Sequence, residues 1–95
     1  MPRRAAKIDA NQPEIVLALR AVGASVECMQ AAGSGFPDLV VGYRGVNYLL
    51  EIKTAKGKLT KDQKTWHPLW RGQVEIVRSV DEALLAIGAI GEDDE

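Results

Sequence analysis

The sequence predicts an α/β protein, a single mixed sheet flanked by helices in the order helix, three strands, helix, strand, helix. Three observations predict it. Apolar residues recur at helical spacing in NQPEIVLALRAVG (11–23). β-Branched residues crowd DLVVGY (38–43) and VNYLLEIKT (46–54), on either side of an Arg44-Gly45 turn. Two later helical segments, one opened by Thr60 with Gln63 and the other by Ser79 with Glu82, enclose one more apolar run. At 95 residues, 46% hydrophobic and 26% charged, the chain suits one modest core rather than two domains or a disordered tract. It divides into a polar basic leader (1–9), the domain (10–90) and an acidic tail (91–95).

In the first helix Asn11 is a candidate N-cap, Pro13 sits in the first turn, where a missing N–H is tolerated, and Gly23 lies beyond the end. Ile15, Leu19 and Val22 should face the core. ASVECM (24–29) is a short strand with Cys28 packed or half-buried, and AAGSGFP (31–37) is a loop dense in small residues. After the hairpin, AKGKL (55–59) leads to TKDQKTWHPLW (60–70). There Thr60 and Gln63 fit a capping box, Trp66 begins an apolar face, and Pro68 should end or kink the helix. Trp66 and Trp70 are expected in the core or at a subunit contact. Gln73 to Arg78 is the fourth strand, and the last helix carries Val80, Leu84 and Ile87 inward.

Composition removes several function classes. One cysteine, Cys28, forms no internal disulfide, and with one histidine, His67, it cannot build a structural zinc site or a supported Ser-His-Asp arrangement. No stretch approaches the roughly 18 apolar residues of a membrane span, and no apolar segment follows the basic leader as in a secretory signal, so a cytoplasmic protein is expected. The net charge of −1 hides a gradient. Residues 1–80 hold all 12 Lys and Arg against 7 Asp and Glu, whereas 81–95 holds 6 acids and no base. Lys53, Lys56, Lys58, Lys61 and Lys64 fall within twelve positions, and Arg3, Arg4 and Lys7 form a second cluster. Such a surface suits a polyanion, and equally a solvated loop and helix face.

The stretch 48-YLLEIKT-54 places an acid and an ammonium two residues apart within an apolar run. Strand side chains alternate, so Glu51 and Lys53 share one face, roughly 6.5 Å apart, while Leu50 and Ile52 take the other. Solvent-facing residues would read the same way. Asp38 adds something further: pairing strands symmetrically about residues 44–45 puts it opposite Glu51. Two converging carboxylates repel, and without a cation one is driven to take a proton. A divalent metal removes that conflict, and oxygen ligands with room for water suit Mg²⁺ or Mn²⁺. The Ile52 carbonyl would supply a further oxygen, and Lys53 would hold or help deprotonate the metal's water while offsetting charge on a phosphate. These groups together suit phosphodiester hydrolysis.

Pro37-Asp38, twelve intervening residues and Glu51-Ile52-Lys53 resemble the motif of the PD-(D/E)xK nuclease superfamily. The longer stretch GSGFPDLVVGYRGVNYLLEIKTAKGKLTKDQKTWHPLW resembles the VRR-NUC family, especially its small stand-alone phage and bacterial members, over about residues 10–88. The resemblance implies a restriction-endonuclease-like αβββαβα core. It also implies a Mg²⁺- or Mn²⁺-dependent endonuclease acting on DNA, branched or four-way junction DNA in particular, in a bacterial cell or phage-infected host. It carries roles onto Glu14, on the first helix, and Gln63, on the helix after the lysine. Each also fits the second half of a capping box, with Asn11 and Thr60 respectively. Ser34 and Gly35, in the small-residue loop, would let a DNA backbone approach, and Lys56, Lys58, Lys61 and Lys64 would meet its phosphates. Symmetric cutting of two strands needs two active sites, so a homodimer is expected. The competing expectation is a DNA-binding or assembly module that keeps the fold without chemistry.

Overall fold

Arg44 and Gly45 both take positive φ, 50° and 82°. That pair of left-handed residues makes the two-residue turn whose twist matches a β-hairpin. It joins β2 (Leu39–Tyr43) to β3 (Val46–Ile52) in a computed structural model that describes residues 8–91. The remaining elements are α1 (Gln12–Ala21), β1 (Ser25–Cys28), a short 3-10 turn (Gln30–Ala32), α2 (Lys61–Leu69), β4 (Glu75–Val77) and α3 (Val80–Ala86). Their order is the predicted one. The strands form one sheet in the order β1-β2-β3-β4, antiparallel through β3, with β4 parallel to β3 across the α2 crossover. Arg3, Arg4 and Lys7 and the end of the acidic tail lie outside the described residues.

Leu39 and Val41 of β2, Leu50 and Ile52 of β3 and Val77 of β4 build one face of the core against Ile15, Val16 and Leu19 of α1, Ala83 of α3 and Ile87 at its C-cap. Val80 and Leu84 pack against this cluster half-buried. Both terminal helices stop in the same way. The Gly23 N–H donates to the Arg20 carbonyl and Ala24 N–H to that of Leu19; Gly88 and Ala89 repeat the pattern on Leu85 and Leu84. Each is a Schellman motif, in which a left-handed glycine satisfies carbonyls the helix leaves open.

Four expectations need correction. Val22 is 38% exposed, because α1 stops at Ala21 and Val22 falls past the covered stripe, where Val16 takes the place beside Ile15. Cys28 is exposed, at the end of an edge strand, lining an open groove with Val16 and Leu17. Asn11 stands at the N-cap position but its side chain does not cap; its amide donates to the carbonyls of Lys53 and Arg78. It thereby ties the start of α1 to the ends of β3 and β4. The fourth strand is also shorter than the predicted 73–78, three residues long.

Candidate active site

Continuing the β2/β3 register one step beyond the Leu39–Leu50 pair sets Asp38 opposite Glu51, as the symmetric hairpin requires. Asp38 lies just outside β2, its carbonyl accepting from Met29 N–H. Its carboxylate is fixed at both oxygens: Oδ2 accepts from Ile52 N–H at 2.8 Å and Oδ1 from Gln30 Nε2 at 3.1 Å. Glu51 and Lys53 point away from the α1/α3 core yet are not solvent-facing, being 0% and 7% exposed. Helix α2 provides the cover on this side of the sheet, through Gln63 and His67.

Gln63 serves two purposes at once. Its Oε1 accepts from Thr60 N–H and its N–H donates to Thr60 Oγ1, completing the capping box. Its Nε2 donates to Glu51 Oε2 at 2.8 Å. One residue therefore starts the helix and grips the acid. Pro68 sits in the last turn, and the helix ends one residue later, consistent with the N–H that proline lacks.

Lys53 Nζ stands 3.5 Å from Glu51 Oε2. Burial, followed by the negative charge of Asp38, pushes the Glu51 carboxyl from 4.5 up to about 8, and Lys53 only partly opposes this. The site as folded is short of positive charge. His67 Nε2 approaches Glu51 Oε1 at 3.8 Å, but burial and the nearby Lys53 lower the imidazole's pKa, so near neutral pH the contact is not an ion pair. Asp38, Glu51, Lys53, Thr60 and Gln63 line a cavity of about 90 Å³, joined by Asp9 from the turn before α1.

Asp9 is a residue that sequence reasoning missed, and so are Gln12 and Gln30. Gln12, almost fully buried, accepts from the same Gln30 amide that bonds Asp38. Asp9 precedes the helix pattern by two residues, and nothing in its spacing ties it to the hairpin. Glu14, in contrast, lies exposed on α1 and makes none of these hydrogen bonds. A site so close to the helix start admits the side chain at position 12 and turns position 14 outward. Nor does Glu14 complete a capping box, since Asn11 makes no cap bond.

The small-residue loop runs with Gly33, Ser34 and Gly35 all at positive φ. At Gly35 a Cβ would meet the Asp62 carbonyl oxygen at about 2.5 Å, so its missing side chain lets the loop pass against the first turn of α2. Gly35→Ala is expected to lower stability by about 1–3 kcal/mol through combined strain and clash, measured by urea unfolding. Ser34 lines a shallow groove of about 320 Å³ with Trp66, Leu69 and Trp70. Trp66 and Trp70 stack at 4.8 Å, and Trp66 meets Phe36 edge-on, outside the main core rather than within it. Lys56, Lys58, Lys61 and Lys64 are exposed along the 54–60 loop and α2. Arg78 shapes that loop, donating from one guanidinium nitrogen to the carbonyls of Thr54 at 2.8 Å and Gly57 at 2.7 Å.

No protein-family model matches the chain, and no curated protein matches it. A solved structure described as "VRR_NUC domain" superposes with a TM-score of 0.65 at 24% identity, covering 87% of this chain and 100% of that one. The chain shares its α/β fold, the restriction-endonuclease-like arrangement expected from the Pro37-Asp38 and Glu51-Ile52-Lys53 motifs. No helix among the described residues is long and apolar enough to cross a membrane.

Proposed function

We propose that this VRR-NUC-like protein is a metal-dependent endonuclease that hydrolyses DNA phosphodiester bonds, with branched or four-way junction DNA as its preferred substrate. One observation carries the reading: two carboxylates, Asp38 and Glu51, converge with Lys53 on one small cavity, and burial together with the charge of Asp38 holds the unexposed Glu51 at a pKa of about 8. The donor set fits a hard divalent ion. Asp38, Glu51 and the Ile52 carbonyl would hold Mg²⁺ or Mn²⁺, which keeps several waters and needs few protein ligands. Bound there, the ion would supply an acidified water and neutralise charge on the phosphate.

The chain's own groups do the rest. Ile52 N–H and Gln30 hold the Asp38 carboxylate in place, and Gln63 does the same for Glu51. Lys53, buried beside them, orients the attacking water and offsets the charge that develops on the phosphate oxygens. Asp9 borders the cavity and would act through the ion's water shell; Glu14, exposed on α1, would reach the ion only through further water. Ser34 and the four exposed lysines would meet the DNA backbone. Two copies would cut the two strands of a symmetric junction, and a cytoplasmic location follows from such a substrate.

Incubation with labelled linear duplex, flap and four-way junction DNA in Mg²⁺, Mn²⁺ or EDTA, beside Glu51→Ala, tests the reading. Metal-dependent cutting that vanishes in the variant is the expected outcome, with the junction cut fastest. Binding without cutting under every metal would make the chain a non-catalytic DNA-binding module. Binding is also expected to weaken steeply with salt, each neutralised phosphate adding roughly 0.9 to the slope of log K against log salt. Replacing Lys58 and Lys61 by alanine should reduce that slope, as read by fluorescence anisotropy from about 50 to 200 mM salt.

A further inference from the structure

Two buried polar atoms of the site face each other without partners: Glu51 Oε1 and His67 Nε2, 3.8 Å apart. Both side chains are nearly closed to solvent, 1% exposed for Glu51 and 13% for His67, so water does not readily replace the missing partners. The roles assigned above to Asp38, Glu51 and Lys53 leave this imidazole unused. Gln63, four residues before His67 on α2, already donates to the other oxygen of Glu51. Residues four apart lie one above the other on a helix face. Helix α2 therefore presents one side chain to each oxygen of a single carboxylate. The His67 ring is itself held, edge-on against Trp66 at 5.7 Å. Its Nε2 faces Glu51 Oε1, and the ring lies outside the lining of the cavity shared by Asp38, Glu51 and Lys53.

We propose that His67 is a positioning residue for Glu51: its Nε2–H donates to Oε1 while Gln63 holds Oε2, and together they fix the plane of the carboxylate. A small rotation of either side chain brings 3.8 Å into hydrogen-bond range. Each carboxylate oxygen has a second lone pair, so both remain able to serve a cation from the cavity side. A ligand gripped from behind is preorganised, and loss of such an outer partner typically weakens metal affinity 10–100-fold. The inference rests on Glu51 as a metal ligand, but the contact itself does not.

Because His67 is the only histidine, its ring nitrogens are identified in a ¹⁵N NMR spectrum of the intact chain without further assignment. In metal-free protein held above pH 8, where the Glu51 carboxyl is ionised, the neutral Nε2–H tautomer is expected, with an Nε2 shift that moves in Glu51→Ala; an unmoved shift overturns the contact. Calorimetric titration with Mn²⁺ tests its consequence. His67→Ala should weaken binding about tenfold or more, and His67→Gln, which keeps a donor at similar reach, should recover most of it. Unchanged affinity in His67→Ala, or equal loss in both variants, overturns the positioning role and leaves the nuclease reading intact. Absence of Mn²⁺ binding by the wild-type chain overturns the metal reading and the consequence drawn from it, and the NMR result then stands or falls alone.

Discussion

Lys53→Ala is expected to lower cleavage roughly 10³-fold or more while the chain stays folded and still binds Mg²⁺. Both halves of this expectation come from the same geometry. Among the described residues Lys53 is the only basic side chain lining the cavity, 3.5 Å from Glu51 Oε2 and 7% exposed. An ammonium there repels an incoming divalent cation, so its removal does not weaken metal binding through charge. What would be lost is the ammonium proposed to hold a water in place and offset charge on a phosphate. Arginine is no substitute, since its wide planar fork does not fit the space of a compact ammonium. Cleavage assays beside Mg²⁺ calorimetry separate the two halves. A variant with wild-type turnover would remove the lysine from the mechanism.

Stability in EDTA is expected to fall between pH 6.5 and 8, with a slope of up to about 1.4 kcal/mol per pH unit, and Glu51→Gln should abolish most of the slope. Below 4.5 the Glu51 carboxyl is protonated in folded and unfolded chains alike, so its burial carries no penalty. As pH rises the unfolded chain releases the proton first, while the folded chain keeps it until about 8. Stability from this group is therefore full below the unfolded value and is lost as pH climbs to the folded one. His67 works in the opposite direction: its lowered pKa means stability present above 6.5 and lost as pH falls through that value. Above 6.5 that contribution has levelled off and Glu51 dominates. Saturating Mg²⁺ should flatten the slope, because the ion binds the folded, deprotonated site. Urea unfolding at pH 6.5 and 8, with and without Mg²⁺, reads all of this. A wild-type slope equal to that of Glu51→Gln would show that the carboxyl titrates normally. At pH 8 in EDTA the glutamine variant should be the more stable protein though it cuts nothing.

The hairpin and its acids were legible because their determinants are local. Arg44-Gly45 specifies a two-residue turn, the turn fixes the register, and the register sets Asp38 across from Glu51. Gln63 was legible through its capping-box spacing, and its Nε2 also donates to Glu51. Glu14 came from the family resemblance and lies exposed, whereas Gln12, three residues before Ile15, shares the buried face of α1. Gln30 and Asp9 reach the site only through tertiary packing, and no local pattern marks them; His67 shares the helix face of Gln63 by its spacing of four. Asn11 was assigned to a cap when its amide bridges two strand ends 42 and 67 residues away. Val22 and Cys28 were misjudged because burial at the end of an element depends on what covers it.

Helix α2 has no buried residue, although it carries Gln63 and His67. An element attached by so few covered contacts opens at lower free energy than the sheet it lies on, and its amide protons should exchange first. Each such opening also uncovers Glu51. On the proposed function, the fraction of molecules competent to cut would be set by this local equilibrium, separate from global unfolding. Lys61 and Lys64 lie on the exposed surface of this same helix. By linkage, a polyanion that docks on them in the closed position raises the population in which Glu51 is held for reaction.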